Sequence, residues 1–128
     1  MLNRSFGITE TQLSNNILEL LSYHGAFAWK NHSVGIYDAK IGGFRSSSKH
    51  AIKGVSDIIC NWNKGIVDYI EVKKPAKKAR TQEQLTNLLR PEQRIFRDTI
   101  LTRGGNYYVF DDVYAVKDWV LRYRNTQC

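Results

Sequence analysis

The most constraining feature of the sequence is a pair of apolar runs, Val55 to Trp62 and Ile66 to Val72, separated by Asn63-Lys64-Gly65. Two short apolar runs joined by a glycine-containing loop predict an antiparallel hairpin. With Gly65 in the left-handed position of a three-residue loop, Trp62 pairs with Ile66, and counting back sets Asp57 directly opposite Glu71. Directly opposed residues share a face with Cβ atoms about 5 Å apart, and like charges there repel. A two-residue loop would turn Asp57 to the other face, so the juxtaposition depends on this register. Along the second strand, Glu71 and Lys73 point to one side, and Ile70 and Val72 to the other.

The remaining chain supplies helices around this hairpin. Thr9 followed by Gln12 has the form of a capping box, and Leu13, Ile17, Leu20 and Leu21 recur at helical spacing. Residues 9 to 24 therefore read as an amphipathic helix ended by Gly25. Ala26 to Lys30 is a strand, which Gly35 to Tyr37 extends or returns. Lys40 to Lys53 is rich in glycine, serine and basic residues and reads as a loop. Thr81 to Leu89 makes a short helix, and Pro91 begins another that runs to residue 103, before Gly104. Tyr107 to Phe110 is a strand, and Asp112 caps a final helix with Val113, Val116, Val120 and Tyr123 on one stripe. Helices interleaved with a central sheet place the chain in the α/β or α+β class.

With 128 residues the chain has the length of one domain, residues 1–128, and can bury a core without staples. No apolar run reaches a membrane span, and Met1 to Glu10 has no signal-like segment, so the expected setting is cytoplasmic. Cys60 and Cys128 have no CxxC partner, and the histidines lack zinc-like spacing. Cys60 is expected buried and Cys128 exposed. Nineteen Lys and Arg against 12 Asp and Glu give a net charge of +7, which favours a polyanionic partner, nucleic acid first. The basic residues cluster in two loops around the hairpin: Lys40, Arg45, Lys49 and Lys53 before it, and Lys74, Lys77, Lys78 and Arg80 after it. They are placed to grip phosphates, a contact that positions without reading sequence.

The opposed Asp57 and Glu71 need a counter-charge, and their hard oxygen donors suit Mg²⁺ or Mn²⁺. Glu10 shares a helix face with Leu13, Ile17 and Leu21, whereas Glu19 lies opposite. Gln93 lines up with Phe96 and Ile100 on the Pro91 helix. Taken singly, Glu10 is a first-turn carboxylate favoured by the helix dipole and Gln93 a satisfied core amide.

Gly54-Val55-Ser56-Asp57, Ile70-Glu71-Val72-Lys73 and Pro91-Glu92-Gln93, with the Glu10 helix and Trp29-Lys30-Asn31 before Gly35, resemble the virus-type replication-repair (VRR-NUC) domain of the PD-(D/E)XK nucleases, in its stand-alone, phage-type form. The resemblance runs from about Thr9 to Phe110. Ser56 departs from it by replacing the usual proline, Arg90 by replacing a Ser or Thr cap, and the stretch from Pro75 to Leu89 by its length. What it implies is a restriction-endonuclease-like α/β core, a central four-stranded mixed sheet flanked by helices. It implies a Mg²⁺- or Mn²⁺-dependent deoxyribonuclease without a small-molecule cofactor, in the host cytoplasm if phage-encoded. The metal would be held by Asp57, Glu71 and the Val72 carbonyl, with Glu10 reaching it directly or through water. Lys73 would orient or deprotonate the attacking water or neutralise the phosphate, and Gln93 would steady Lys73 or the water. The implied substrate is branched DNA, four-way junctions above all, and the implied active unit a homodimer, with Tyr107, Tyr108 and the Trp119 helix as contact candidates. The alternative is a non-catalytic basic DNA-binding protein that keeps the nuclease fold.

Overall fold

A computed structural model describes residues 6–31, 36–40, 42–45 and 52–125, without the side chains of 36–38 and 44–45. The first helix, α1 (Glu10–Tyr23), starts at the expected capping box. The Gln12 N–H donates to the Thr9 hydroxyl (3.1 Å), and the Thr9 N–H donates to Gln12 Oε1 (2.9 Å). Its apolar stripe buries Leu13, Ile17 and Leu21 completely. Strands β1 (Phe27–Lys30), β2 (Ile36–Asp38), β3 (Gly43–Arg45), β4 (Ile58–Asn61) and β5 (Val67–Val72) follow. Helices α2 (Gln82–Thr86) and α3 (Pro91–Thr102), strand β6 (Asn106–Phe110) and helix α4 (Val113–Tyr123) complete the order.

Four strands make one mixed sheet in the order β1-β4-β5-β6. β1 and β5 flank β4 antiparallel, and β6 runs parallel to β5. A parallel neighbour needs a crossover, which α2 and α3 provide. Period-two alternation divides the core between the two faces. Ile58, Cys60, Ile70 and Val72 pack with α1 and α4, whereas Val109, Tyr107 and the half-buried Tyr69 pack with Leu85, Leu89 and Phe96.

A buried charge ties the last helix to the sheet. Asp68 on β5 has no exposed surface, and Arg124 reaches it with two charge-assisted hydrogen bonds, Nε to Oδ2 at 2.9 Å and Nη2 to Oδ1 at 2.7 Å. The Trp62 indole N–H adds a third at 2.8 Å, and the Arg124 guanidinium lies 5.0 Å over the Trp119 ring. These partners offset the desolvation that a buried carboxylate incurs.

Three expectations are corrected. Within Lys40 to Lys53, read as a loop, Gly43–Arg45 forms β3, and it pairs with β2 in a separate two-stranded ribbon rather than extending β1. Backbone pairing there outweighs the loop-forming composition. Strand β4 is shorter than the run from Val55 to Trp62, because Gly54 to Asp57 bend around the end of the sheet. Of the dimer-contact candidates, Tyr107 is 8 % exposed and belongs to the core, whereas the Trp119 helix buries that ring and exposes Tyr114, Leu121 and Tyr123. Cys60 is buried as expected, while Cys128 lies outside the described residues. Among the described residues no helix is long and apolar enough to cross a membrane.

Candidate active site

The hairpin register generates the site. Trp62 N–H donates to the Ile66 carbonyl at 2.7 Å, and Ile58 faces Ile70, so one further step places Asp57 opposite Glu71. Both Lys64 (φ +66°) and Gly65 (φ +74°) adopt the left-handed region, one residue more than the sequence suggested. Only glycine takes that region freely, so Lys64 carries local strain that the sheet pairing holds in place.

Asp57 lies just before β4. Its Oδ2 accepts the Val72 N–H at 2.8 Å, a side-chain substitute for the ladder bond that β4 no longer supplies. Its own carbonyl accepts the Asn31 N–H at 2.8 Å, which fixes the end of β1 beside it. Ser56, fully buried, donates to the Ile58 carbonyl at 3.2 Å and holds the bend where the resembled family has proline. Gly54 (φ +76°) lies directly on the first turn of α3: a Cβ there would stand 2.8 Å from Gln93 N and nearer still to the Glu92 carbonyl. This close approach sets the depth at which α3 delivers Gln93.

Gln93 is 5 % exposed and bridges the site. Its Nε2 donates to Glu71 Oε2 (3.1 Å), and its Oε1 accepts from Lys73 Nζ (3.0 Å) and from the Arg90 N–H (2.9 Å). The Arg90 bond fixes the amide orientation from the helix start. Lys73 Nζ lies 3.9 Å from Glu71 Oε2. The other Glu71 oxygen, Oε1, is buried with no hydrogen-bond partner. Burial first, and then the neighbouring Asp57 carboxylate, push the Glu71 pKa up to about 9. Both causes favour the protonated form of Glu71.

A hard cation fits this arrangement on structural grounds: an all-oxygen donor pair, one carboxylate pre-oriented by an amide, and an orphaned buried oxygen. Among the described residues no three His, Cys, Asp or Glu side chains form a ready metal cluster. Glu10 thus stands apart from the Asp57–Glu71 pair. It is still close enough that burial and the Asp57 charge raise its pKa, while Lys73 and Arg90 oppose the shift. Glu10, Thr11, Ser14, Lys30, Asn31 and Asp57 line a small polar cavity of about 150 Å³.

The basic loops divide by environment. Lys53, Lys74, Lys77 and Lys78 are exposed, as is Lys40, whereas Arg80 is half-buried. Arg80 Nε donates to Asp111 Oδ2 at 2.9 Å and its Nη2 to the Lys74 carbonyl at 2.8 Å, so it pins the loop to a buried carboxylate. The Arg45 side chain and Lys49 lie outside the described residues. The sequence reading missed Lys30, Asn31 and Ser14, which reach the site from β1 and α1. Its period-two and 3.6-residue counts give faces within an element, not which element ends converge.

No protein-family model matches the chain, and no curated protein matches it. A solved structure described as a VRR_NUC domain matches over 91 % of this chain and 99 % of its own length, with a TM-score of 0.56 at 18 % identity. At that identity the likeness speaks for the fold: this chain has the mixed α/β fold of a VRR_NUC domain.

Proposed function

We propose that the chain is a metal-dependent nuclease of the VRR-NUC type that hydrolyses DNA phosphodiester bonds. The observation that carries this reading is Glu71: a buried carboxylate, oriented through Oε2 by Gln93, with Oε1 unpaired beside Asp57 and a lysine 3.9 Å away. A purely structural carboxylate would have both oxygens satisfied.

Asp57, Glu71 and the Val72 carbonyl would hold Mg²⁺ or Mn²⁺, with Glu10 reaching it directly or through water. When bound, the cation lowers the pKa of a coordinated water and neutralises charge on the phosphate. Lys73 presents its ammonium beside the carboxylate pair, where it orients the attacking water or stabilises charge growing on the phosphate oxygens. Gln93 fixes both Glu71 and Lys73 with one amide, so its role is positioning. Asp57 is itself positioned by the Val72 N–H, which donates to its Oδ2. Lys40, Lys53, Lys74, Lys77 and Lys78 supply phosphate contacts that are indifferent to sequence. Branched DNA is the proposed preferred substrate and a homodimer the proposed active unit, since cutting two opposing strands needs two sites in matching orientation.

The test is incubation of purified protein with linear, flapped and four-way DNA in Mg²⁺, in Mn²⁺ and in EDTA. Cleavage in either metal, lost in EDTA and in Asp57→Asn, is expected, fastest on four-way junctions. Binding without cleavage in every metal would instead identify a non-catalytic DNA-binding protein. Sedimentation at micromolar concentration tests the dimer, and a monomer with and without junction DNA refutes it.

A further inference from the structure

The polar cavity beside Asp57 is bordered by α1 and the end of β1, and neither Glu71 nor Lys73 lines it. Lys30 pairs with Ile58 and Ile58 with Ile70, so its side chain leaves the sheet on the α1 face, whereas Glu71 and Lys73 leave it on the opposite face. Asp57, just before the intervening β4, lines the cavity together with Lys30. Lys30 is half-buried at the end of β1, and no carboxylate among the described residues pairs with its ammonium. The cavity holds two carboxylates, Glu10 and Asp57, yet neither lies within 4 Å of a Lys30 nitrogen. Restraining a cation there without a partner has a cost unless an anion arrives from outside. The next residue, Asn31, is fixed to Asp57 by the 2.8 Å backbone bond, so the lysine is held in register with the reacting centre.

A DNA strand crossing this centre carries a phosphate on each side of the one that is cut. Lys73 serves the scissile group, and nothing else described on the β1 side neutralises its neighbour. On these grounds we infer that Lys30 is a phosphate-binding residue for the nucleotide flanking the cut, with the Asn31 amide and the Ser14 hydroxyl as polar walls of the subsite. The inference rests on the nuclease reading and adds a direction: the substrate strand passes around the sheet end from the α3 face, where Lys73 lies, to the α1 face, where Lys30 lies. The contact carries charge and no base information.

The test uses the full chain and a set of DNA substrates, each with one neutral methylphosphonate in place of a phosphate around the mapped cut. Binding is measured in EDTA as a function of salt, and cleavage in Mn²⁺. For the unaltered protein, one neutral linkage next to the cut should weaken binding roughly tenfold, the scale of one charged hydrogen bond. Lys30→Ala should show that weakening already on all-phosphate DNA, with its log–log salt slope lower by about 0.9 on duplex. The neutral linkage should then have no further effect, KM should rise more than kcat falls, and Lys30→Arg should restore most of the affinity. Wild-type affinity and slope in Lys30→Ala overturn the subsite while leaving the nuclease intact. Equal loss in Lys30→Ala and Lys30→Arg, with lowered melting temperatures, assigns Lys30 a structural role and also overturns it. If the unaltered protein neither binds nor cuts DNA, the nuclease reading fails, and the subsite with it.

Discussion

Replacing Glu71 by glutamine removes a charge from a side chain that is 3 % exposed while preserving its shape. The new amide oxygen can keep the bond from Gln93 Nε2, and the new NH₂ takes the place of the orphaned Oε1, where it can donate to Asp57. The folded-state pKa is raised from 4.5 to about 9, by burial first and then by Asp57, so the native protein holds its proton where the unfolded chain has lost it. Stability from this group is therefore full below pH 4.5 and declines as pH rises toward about 9. At pH 7 the interval is roughly 2.5 units, and at about 1.4 kcal/mol per unit the ceiling on the penalty is about 3 kcal/mol. Glu71→Gln should thus be more stable than wild type in EDTA at pH 7, by about 1–3 kcal/mol. For a chain of this length that is a melting increase of roughly 5–10 °C. The gain should shrink to nothing near pH 4 and grow toward pH 9. Saturating Mg²⁺ or Mn²⁺ should stabilise only the wild type, narrowing or reversing the difference. Thermal melts of both proteins from pH 4 to 9, with EDTA and with metal, measure all of this. A wild type that is the more stable at pH 7 in EDTA, or a difference that is flat with pH, would refute the account of Glu71 as an uncompensated buried carboxylate.

Other outcomes follow from neighbouring contacts. Gly54→Ala should lose about 2 kcal/mol or more in denaturant unfolding, because it combines a left-handed φ with a backbone overlap on α3; a loss under about 0.5 kcal/mol shows that the segment can move off the helix. Arg80→Ala should destabilise by about 1.5–3 kcal/mol through loss of its charged hydrogen bonds to buried Asp111, whereas Lys77→Ala with Lys78→Ala should leave the melting temperature alone and lower the salt slope of DNA binding by up to about 1.8. Equal effects of the two changes on stability would erase the distinction between structural and phosphate-facing charge in this loop. Arg124→Met should cost about 3–5 kcal/mol, since it leaves Asp68 buried with only the Trp62 indole, and Asp68→Asn in the same background should recover part of that loss. No recovery in the double variant would mean that the guanidinium acts through its packing on Trp119 rather than through the carboxylate.

Much of the site was written in local sequence. The hairpin register followed from two apolar runs and a three-residue loop, since a period of two leaves only one phase that buries Ile58, Cys60, Ile70 and Val72 together. The capping box at Thr9 and the Pro91 start of α3 followed from residues three positions apart or fewer. The 3.6-residue count likewise placed Gln93 on the buried side of α3, in line with Phe96. What local pattern could not give is distance between elements. The ribbon of β2 and β3 depends on pairing across a glycine-rich turn, which outweighs composition only once the partner strand is in place. Tyr107 and Trp119 look like interface aromatics by type, and only packing against Phe96 and Phe110 shows that they fill the core. The same holds at the centre. Asp57 and Glu71 meet because one strand pair fixes them, so the sequence determined their contact. Glu10, Lys30 and Gln93 arrive from α1, β1 and α3, and their distances from that pair were decided by helix-on-sheet packing, in which side-chain volumes throughout the two cores set how far each element end reaches.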